Sequence, residues 1–308
     1  MTHVDYDMNR KSDIFVPIVL GPTGVGKTDL VHNVALDLDA EIISADSRAI
    51  YKGMEIGTAT PPKSYREELP YHLINFLDPR ERFSAMDFRE RVEGVIQEVC
   101  MRERLPIIVG GSRLYILALT QGIFEGPEGN EELREELRCV PGDLLHERLK
   151  DLDPKSAEKI HPNDTKRIIR ALEVYKLTGR PISELQEEAQ PLPFEFLKIG
   201  LNRPREELYS RINRRVEEMM EKGLLKEIKR LVDQGFCPQW GAWNTIGYKE
   251  LYQYLKGDRS LSVAVEDIKT NSRHLAKYQQ NWMEKLEEIR LKNVNGLKPV
   301  ELKRELEG

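Results

Sequence analysis

Short apolar runs alternate with helical patterns in the N-terminal third of the chain. Residues 15–20, 40–46 and 105–111 are each too short and too continuously apolar to form a surface helix, and are predicted as buried strands. Apolar residues at helical spacing occupy 29–38 and 87–104, with Ser84 as the expected cap of the second helix. Strands that alternate with helices predict an α/β fold with a central parallel sheet flanked by helices.

The pattern changes after Glu125, where charged helical segments follow one another without a strand candidate until residues 194–201. We therefore predict a helical insertion domain at 125–190 within a core formed by 1–124 and 191–308. Asp164 is the expected N-cap of a helix that Gly179 closes, and Ser183 with Gln186 matches a capping box for the next helix.

Two long helices are predicted in the last third of the chain. The first begins at Pro204 and continues to about residue 234, and the second covers 261–289. The charged tail after them is expected to fray.

Composition limits the kind of protein this is. The 47 Lys and Arg nearly balance 52 Asp and Glu, for a formal net charge of -5, which excludes a uniformly basic coat for nucleic acid. No stretch approaches the roughly 20 apolar residues that cross a bilayer, and residues 1–13 contain no apolar leader. The three cysteines form no CxxC pair. These features predict a cytoplasmic protein with no membrane association, and nothing indicates an obligate protein partner.

One segment matches G-x-x-x-x-G-K-[ST] between a predicted strand and a predicted helix. The glycines let the backbone curl so that N–H groups point inward, Lys27 reaches an outer phosphate, and Thr28 can hold Mg²⁺, the predicted cofactor. The segment is expected to bind a diphosphate or triphosphate. Its residues are Gly21, Pro22, Thr23, Gly24, Val25, Gly26, Lys27 and Thr28.

Two further predicted strands end in residues that could take part in binding or catalysis. Asp46 follows one of them and is a candidate metal ligand or general base, with capping of the next turn as the alternative. Gly110 and Gly111 end the other, and Ser112 is a candidate hydrogen-bond donor. P-loop ATPases and GTPases usually place an Asp at such a strand end to hold the metal. Here that position is glycine, so nucleotide hydrolysis is disfavoured.

These motifs together closely resemble the isopentenyl-tRNA transferase family, the bacterial tRNA dimethylallyltransferases. The resemblance extends over nearly the whole chain and rests on several motifs in matching order. They are the P-loop, residues 46–61, residues 110–115, residues 161–164 with Arg167 and Arg170, residues 246–248, and residues 276–277.

The resemblance implies a P-loop NTPase-like core that transfers a dimethylallyl group from dimethylallyl diphosphate to N6 of adenine 37 in the tRNA anticodon loop. Asp46 would take the N6 proton, Lys27 would stabilise the departing diphosphate, and Ser112 stands where the family usually has threonine. Arg211 and Arg215 match the family's arginine pair and would reach the diphosphate. Ion pairs to Glu207 or Glu218 are the alternative for these arginines.

The resemblance also implies which residues bind the tRNA anticodon stem-loop. They are Asp46, Ser47, Arg48, Ala49, Ser112, Arg134, Lys166, Arg167, Ile168, Ile169 and Arg170. Without the resemblance, the basic stretch at 166–170 would be interpreted as an ordinary solvated helix face. Three residues depart from the family pattern: Ala49 replaces a common glutamine, and Tyr278 and Glu284 stand where arginines are expected.

Other functions stay open at this stage. The closest is an adenylate isopentenyltransferase, which performs the same chemistry on a free nucleotide and would not need the insertion. A nucleotide-gated RNA-binding module and a small-molecule P-loop kinase are alternatives from different classes, and a kinase would consume ATP.

Overall fold

The computed structural model describes residues 14–308. These residues divide into two units, one formed by 14–116 with 193–308 and the other by Leu117–Leu192. The predicted insertion boundaries, 125 and 190, lie inside the second unit. The absence of a leader was predicted from residues 1–13, which lie outside the described residues. No helix within 14–308 is long and apolar enough to cross a membrane.

The first unit contains a six-stranded sheet in the order β3-β2-β4-β1-β5-β6, and every neighbouring pair is parallel. The prediction of a parallel sheet is confirmed, and four strands match the predicted ones to within one residue. The edge strands β3 and β6 were missed, because they are short and are not buried apolar runs. The strands are β1 Phe15–Leu20, β2 Ala40–Ala45, β3 Tyr71–His72, β4 Leu105–Gly110, β5 Glu195–Asn202 and β6 Arg290–Asn293.

Five helices follow or connect the first four strands. Ser84 begins α4 with a capping box, since its Oγ accepts from the Asp87 N–H at 3.1 Å while the Asp87 carboxylate accepts from the Ser84 N–H at 2.7 Å. The predicted cap is therefore confirmed. The helices are α1 Lys27–Asp37, α2 Glu55–Thr58, α3 Lys63–Glu68, α4 Ala85–Met101 and α5 Arg113–Thr120.

The second unit contains five helices around a small apolar core. Asp164 caps α9 by accepting from the Arg167 N–H at 3.3 Å, and Gly179 ends it at φ 73°, as predicted. The predicted capping box at Ser183 is wrong: Ser183 lies inside α10, where its N–H donates to the buried Asp153 at 3.0 Å. The helices are α6 Glu131–Arg138, α7 Gly142–Leu152, α8 Pro154–Lys159, α9 Thr165–Thr178 and α10 Ile182–Glu187.

The remaining helices return to the first unit and correct three predictions. The helix expected at 261–289 ends at Met283. The helix expected from Pro204 to residue 234 is two helices, because the chain turns at Gly223 with φ 101°. The tail does not fray: Leu302 and Leu306 are fully buried in the same core as α1. These helices are α11 Arg205–Glu221, α12 Leu224–Asp233, α13 Tyr248–Leu255, α14 Leu261–Met283 and α15 Pro299–Leu306.

Candidate active site at the carboxyl edge of the sheet

The P-loop connects β1 to α1 at the carboxyl edge of the sheet. Gly24 and Gly26 take φ values of 81° and 101°, which favour glycine over residues with a side chain. Gly21 is restricted by space, since a Cβ there would lie 2.9 Å from the Leu201 carbonyl oxygen. The first N–H groups of α1 have no acceptor within the helix and form an anion site. The loop is therefore built to bind phosphate.

Lys27 lies over this loop, where its Nζ donates to the carbonyl oxygens of Gly21 at 2.7 Å and Pro22 at 3.0 Å. Burial lowers the pKa of Lys27 to about 8, the negative charge of Asp46 opposes that shift, and the positive charge of Arg215 adds to it. Lys27, Asp46 and Arg215 thus belong to one electrostatic cluster. A bound anionic group would favour the charged form of Lys27.

Asp46 directly follows β2 at the same edge. Its Oδ1 accepts from the N–H groups of Arg48 at 2.7 Å and Ala49 at 3.3 Å, so it caps the turn. Within the described residues, Oδ2 accepts no hydrogen bond. The two interpretations of Asp46 are therefore compatible, since one oxygen fixes the side chain and the other is available as a base.

Ser112 lies beside the Asp46 turn. Its Oγ accepts from the Ser47 N–H at 3.0 Å, and its own N–H donates to the Ala45 carbonyl at 3.3 Å. The hydroxyl proton of Ser112 can still be donated to a substrate oxygen. The structure thus brings Ser112 to the turn formed by Asp46 and Ser47, although Ser47 and Ser112 are 65 residues apart in the sequence.

Arginines from the end of β5 and from α11 contact the P-loop. Arg211 Nε donates to the Gly24 carbonyl at 2.9 Å, and burial lowers the pKa of Arg215. The alternative partner Glu207 pairs instead with Arg203. Arg203, which the sequence did not single out, donates through Nε to the Val25 carbonyl at 3.3 Å. Its position just after β5, at the carboxyl edge, was the available signal.

The predicted tRNA-binding residues of the insertion have three different surroundings. Lys166 and Arg167 are exposed, and Arg167 Nε lies 3.0 Å from Asp164 Oδ2. Arg134 and Arg170 are held by the fully buried Glu173, at 2.9 Å and 2.6 Å. Two residues, Ile168 and Ile169, are buried in the apolar core of the insertion, so their side chains do not form its surface.

The departures from the family pattern also have clear positions. Ala49 is buried, and its carbonyl accepts from the Asn75 N–H at 2.9 Å. Tyr278 and Glu284 are exposed on and just after α14, where Glu284 accepts from Gln280 Nε2 at 2.9 Å.

The residues present fit a Mg²⁺ ion only when a diphosphate supplies part of its coordination. No group of three or more His, Cys, Asp or Glu side chains in residues 14–308 is arranged to hold a metal ion. Thr28, in the first turn of α1, offers a hydroxyl oxygen beside the phosphate-binding loop. Mg²⁺ commonly binds in this way, through phosphate oxygens, water and one or two protein oxygens.

The fold and the site together define a P-loop protein whose phosphate loop adjoins a carboxylate and a serine hydroxyl at the edge of a parallel sheet. A family model described as IPP transferase matches residues 49–286. A tRNA dimethylallyltransferase of Thermotoga neapolitana is 45% identical over 293 residues, which are 94% of this chain and 95% of that protein. The corresponding enzyme of Thermotoga maritima is 46% identical over 277 residues, covering 89% and 90%. The chain belongs to the IPP transferase family.

Solved structures agree with this assignment. The tRNA isopentenylpyrophosphate transferase of Bacillus halodurans matches with a TM-score of 0.69 at 38% identity, over 96% of this chain and 97% of that one. A eukaryotic dimethylallyltransferase acting on tRNA matches with a TM-score of 0.79 at 31% identity, over 91% of this chain and 74% of that one. The predicted P-loop NTPase-like fold is confirmed.

Proposed function

We propose that this protein transfers the dimethylallyl group of dimethylallyl diphosphate to N6 of adenine 37 in the anticodon stem-loop of tRNA, in the cytoplasm. The observation that carries this proposal is geometric: Lys27 lies on the phosphate loop, and Asp46, in the turn that bonds to Ser112, follows a parallel strand of the same sheet, so a diphosphate and a base would share one edge. Membership of the IPP transferase family supports prenyl transfer over nucleotide hydrolysis.

The reaction forms a bond between N6 and C1 of the dimethylallyl group and breaks the bond between C1 and the diphosphate oxygen. The electron pair leaves with the diphosphate, where Lys27 and the P-loop N–H groups stabilise the developing charge. The N6 proton passes to Oδ2 of Asp46, while Oδ1 stays bound to the Arg48 and Ala49 N–H groups. Atoms and charge balance with diphosphate as the released product.

Arg215 and Arg211 add positive charge on the α11 side of the loop. Arg211 already donates to the Gly24 carbonyl, so its guanidinium is fixed at the rim of the loop and can contact a phosphate oxygen with its other N–H groups. When bound, Mg²⁺ would neutralise diphosphate charge and would be held by Thr28 and the phosphate oxygens. Ser112 can donate to the reacting region through its hydroxyl.

Recognition of the tRNA is assigned to residues at two places in the chain. Arg48 and Ser47 adjoin Asp46 in the turn after β2 and would contact the target nucleotide. In the insertion, the exposed Lys166 and Arg167 would bind backbone phosphates, which fix position and carry little sequence information.

Labelled dimethylallyl diphosphate incubated with the purified protein tests this function. The acceptors are unmodified tRNA, the same tRNA with guanine at position 37, and AMP. Label is expected only in the tRNA with adenine at position 37. Label in AMP but not in tRNA would support the adenylate isopentenyltransferase, and consumption of ATP without prenyl transfer would support the kinase.

A further inference from the structure

Gln279 on α14 connects two loops of the candidate site that belong to different strands. Its Oε1 accepts from the Thr23 N–H of the P-loop at 2.8 Å, and its Nε2 donates to the Gly111 carbonyl at 3.1 Å. An N–H can only donate and a carbonyl can only accept, so the two contacts fix the orientation of the amide. An amide satisfies both contacts, whereas a carboxylate lacks the N–H for Gly111 and a lysine lacks an acceptor for Thr23.

The contact with Gln279 leaves no room for a side chain at position 111. A Cβ at position 111 would lie 2.6 Å from Gln279 Nε2 and 3.0 Å from the Gly21 carbonyl oxygen, closer than real Cβ atoms normally approach. A glycine at this position therefore lets the backbone after β4 approach both the amide and the P-loop.

The hydrogen bonds of Gln279 lead on to the turn that carries Asp46, where the prenyl acceptor would bind. Gly111 precedes Ser112, whose Oγ accepts from the Ser47 N–H next to Asp46, and whose N–H donates to Ala45. A continuous series of contacts thus runs from Thr23 in the phosphate loop, through Gln279, to the turn that carries the carboxylate.

We propose that Gln279 is a positioning residue that sets the separation between the bound diphosphate and the Asp46–Ser112 acceptor turn. This inference rests on the proposed prenyl transfer. The Gln279 amide accepts the Thr23 N–H and donates to the Gly111 carbonyl, and so fixes the P-loop relative to the end of β4. Displacement of reacting groups by about 1 Å can cost roughly 100-fold in rate, so a tie between these loops affects the chemical step more than binding.

The test compares Gln279→Met, which has a similar volume and no hydrogen bonds, with Gln280→Met as the matched control. Gln280 is the next residue on α14, and it bonds to Glu284 rather than to the site. The measurements are the single-turnover rate with saturating tRNA and dimethylallyl diphosphate, the dissociation constant of dimethylallyl diphosphate, and the thermal midpoint. We expect Gln279→Met to lower the rate about 10- to 100-fold, with a much smaller change in the dissociation constant and a near-native midpoint.

Gln279→Glu gives an independent readout. Its carboxylate can still accept from Thr23 but faces the Gly111 carbonyl without a donor, and it brings negative charge toward the phosphate loop. We expect this variant to lose rate like Gln279→Met and, in addition, to bind dimethylallyl diphosphate more weakly. If the Gln279→Glu variant bound dimethylallyl diphosphate as tightly as wild type, Gln279 would lie away from the diphosphate and the proposal would be overturned.

A double variant separates a shared network from independent sites. Gln279→Met and Ser112→Ala should have less than additive effects on the rate, because both interrupt the same series of contacts. A rate within twofold of wild type for Gln279→Met, or an equal loss for Gln280→Met, would also overturn the proposal. If wild type itself transfers no prenyl group to tRNA, the proposed function fails instead, so the two failures are distinguishable.

Discussion

Arg167 and Arg170 of α9 were both predicted to bind tRNA, yet alanine variants of the two are expected to fail in different ways. Arg167 is 62% exposed and lies next to Asp164 on the surface. Arg170 places Nη1 2.6 Å from Glu173 and donates through Nη2 to the Pro127 carbonyl at 3.0 Å. We expect Arg167→Ala to weaken tRNA binding without loss of stability, and Arg170→Ala to destabilise the insertion.

The size of the second effect follows from the bonding of Glu173. This carboxylate is fully buried and accepts from Arg134, from Arg170 and from the Asn130 N–H at 2.7 Å. Removing Arg170 leaves Glu173 two of these partners and also removes the bond to the Pro127 carbonyl, so two charged hydrogen bonds are lost, which should cost about 2 to 4 kcal/mol of unfolding free energy. Removing the exposed ion pair between Arg167 and Asp164 should lower the unfolding free energy by less than about 1 kcal/mol.

Thermal unfolding and tRNA affinity as a function of salt distinguish the two variants. For Arg167→Ala, the slope of log affinity against log salt should become shallower by about 0.7 to 0.9, the value for one phosphate contact. Lys176→Ala, which removes a half-exposed charge from the same helix, is the control and should leave the slope unchanged. An unchanged slope for Arg167→Ala, or equal destabilisation by both arginine variants, would refute the reasoning.

Four other variants or conditions have expected outcomes. Lys27→Ala should abolish prenyl transfer and keep the wild-type melting curve, because it removes the charge that neutralises the diphosphate; near-native turnover would contradict the P-loop assignment. Asp46→Asn keeps an Oδ1 acceptor for the turn and loses the base, so the single-turnover rate with saturating tRNA should fall roughly 10²- to 10⁴-fold, whereas a loss of affinity alone would make Asp46 a binding residue. Gly57→Ala places a Cβ 2.4 Å from a ring carbon of the buried Tyr248 and should lower unfolding free energy by about 1 to 3 kcal/mol in denaturant titrations, whereas Gly94→Ala, which meets no atom within 4 Å, should not be destabilising. Burial alone raises the pKa of Glu173, but hydrogen bonds from Arg170, Arg134 and the Asn130 N–H hold it below its ordinary value. The stabilisation from Glu173 is therefore complete above the unfolded pKa of about 4.3 and lost as the pH falls through the lower folded value, so thermal midpoints from pH 7 to 3 should fall more in wild type than in Glu173→Gln.

The local pattern was sufficient for the P-loop and for the strands that surround it. The sequence from Gly21 to Thr28 specifies its own conformation, because glycines at 24 and 26 accept positive φ and Lys27 begins the helix. It was insufficient for Gly223, where one glycine divides a continuous amphipathic pattern, and for α15, whose charges obscure two fully buried leucines. Helical periodicity does not show where a chain reverses, and the burial of a short tail depends on the surface it packs against.

For the candidate site, the sequence by itself determined the chemistry and the tertiary structure decided the connections. The P-loop, Asp46 and Ser112 each follow a strand, and parallel strands end at one edge of the sheet, so their convergence could be predicted. The tie made by Gln279 and the pairing of Arg134 on α6 with Glu173 on α9 depend on contacts between elements that the local pattern does not relate. A hydrogen bond is specified by the position of both partners, and for residues 256 apart only the packed fold brings those positions together.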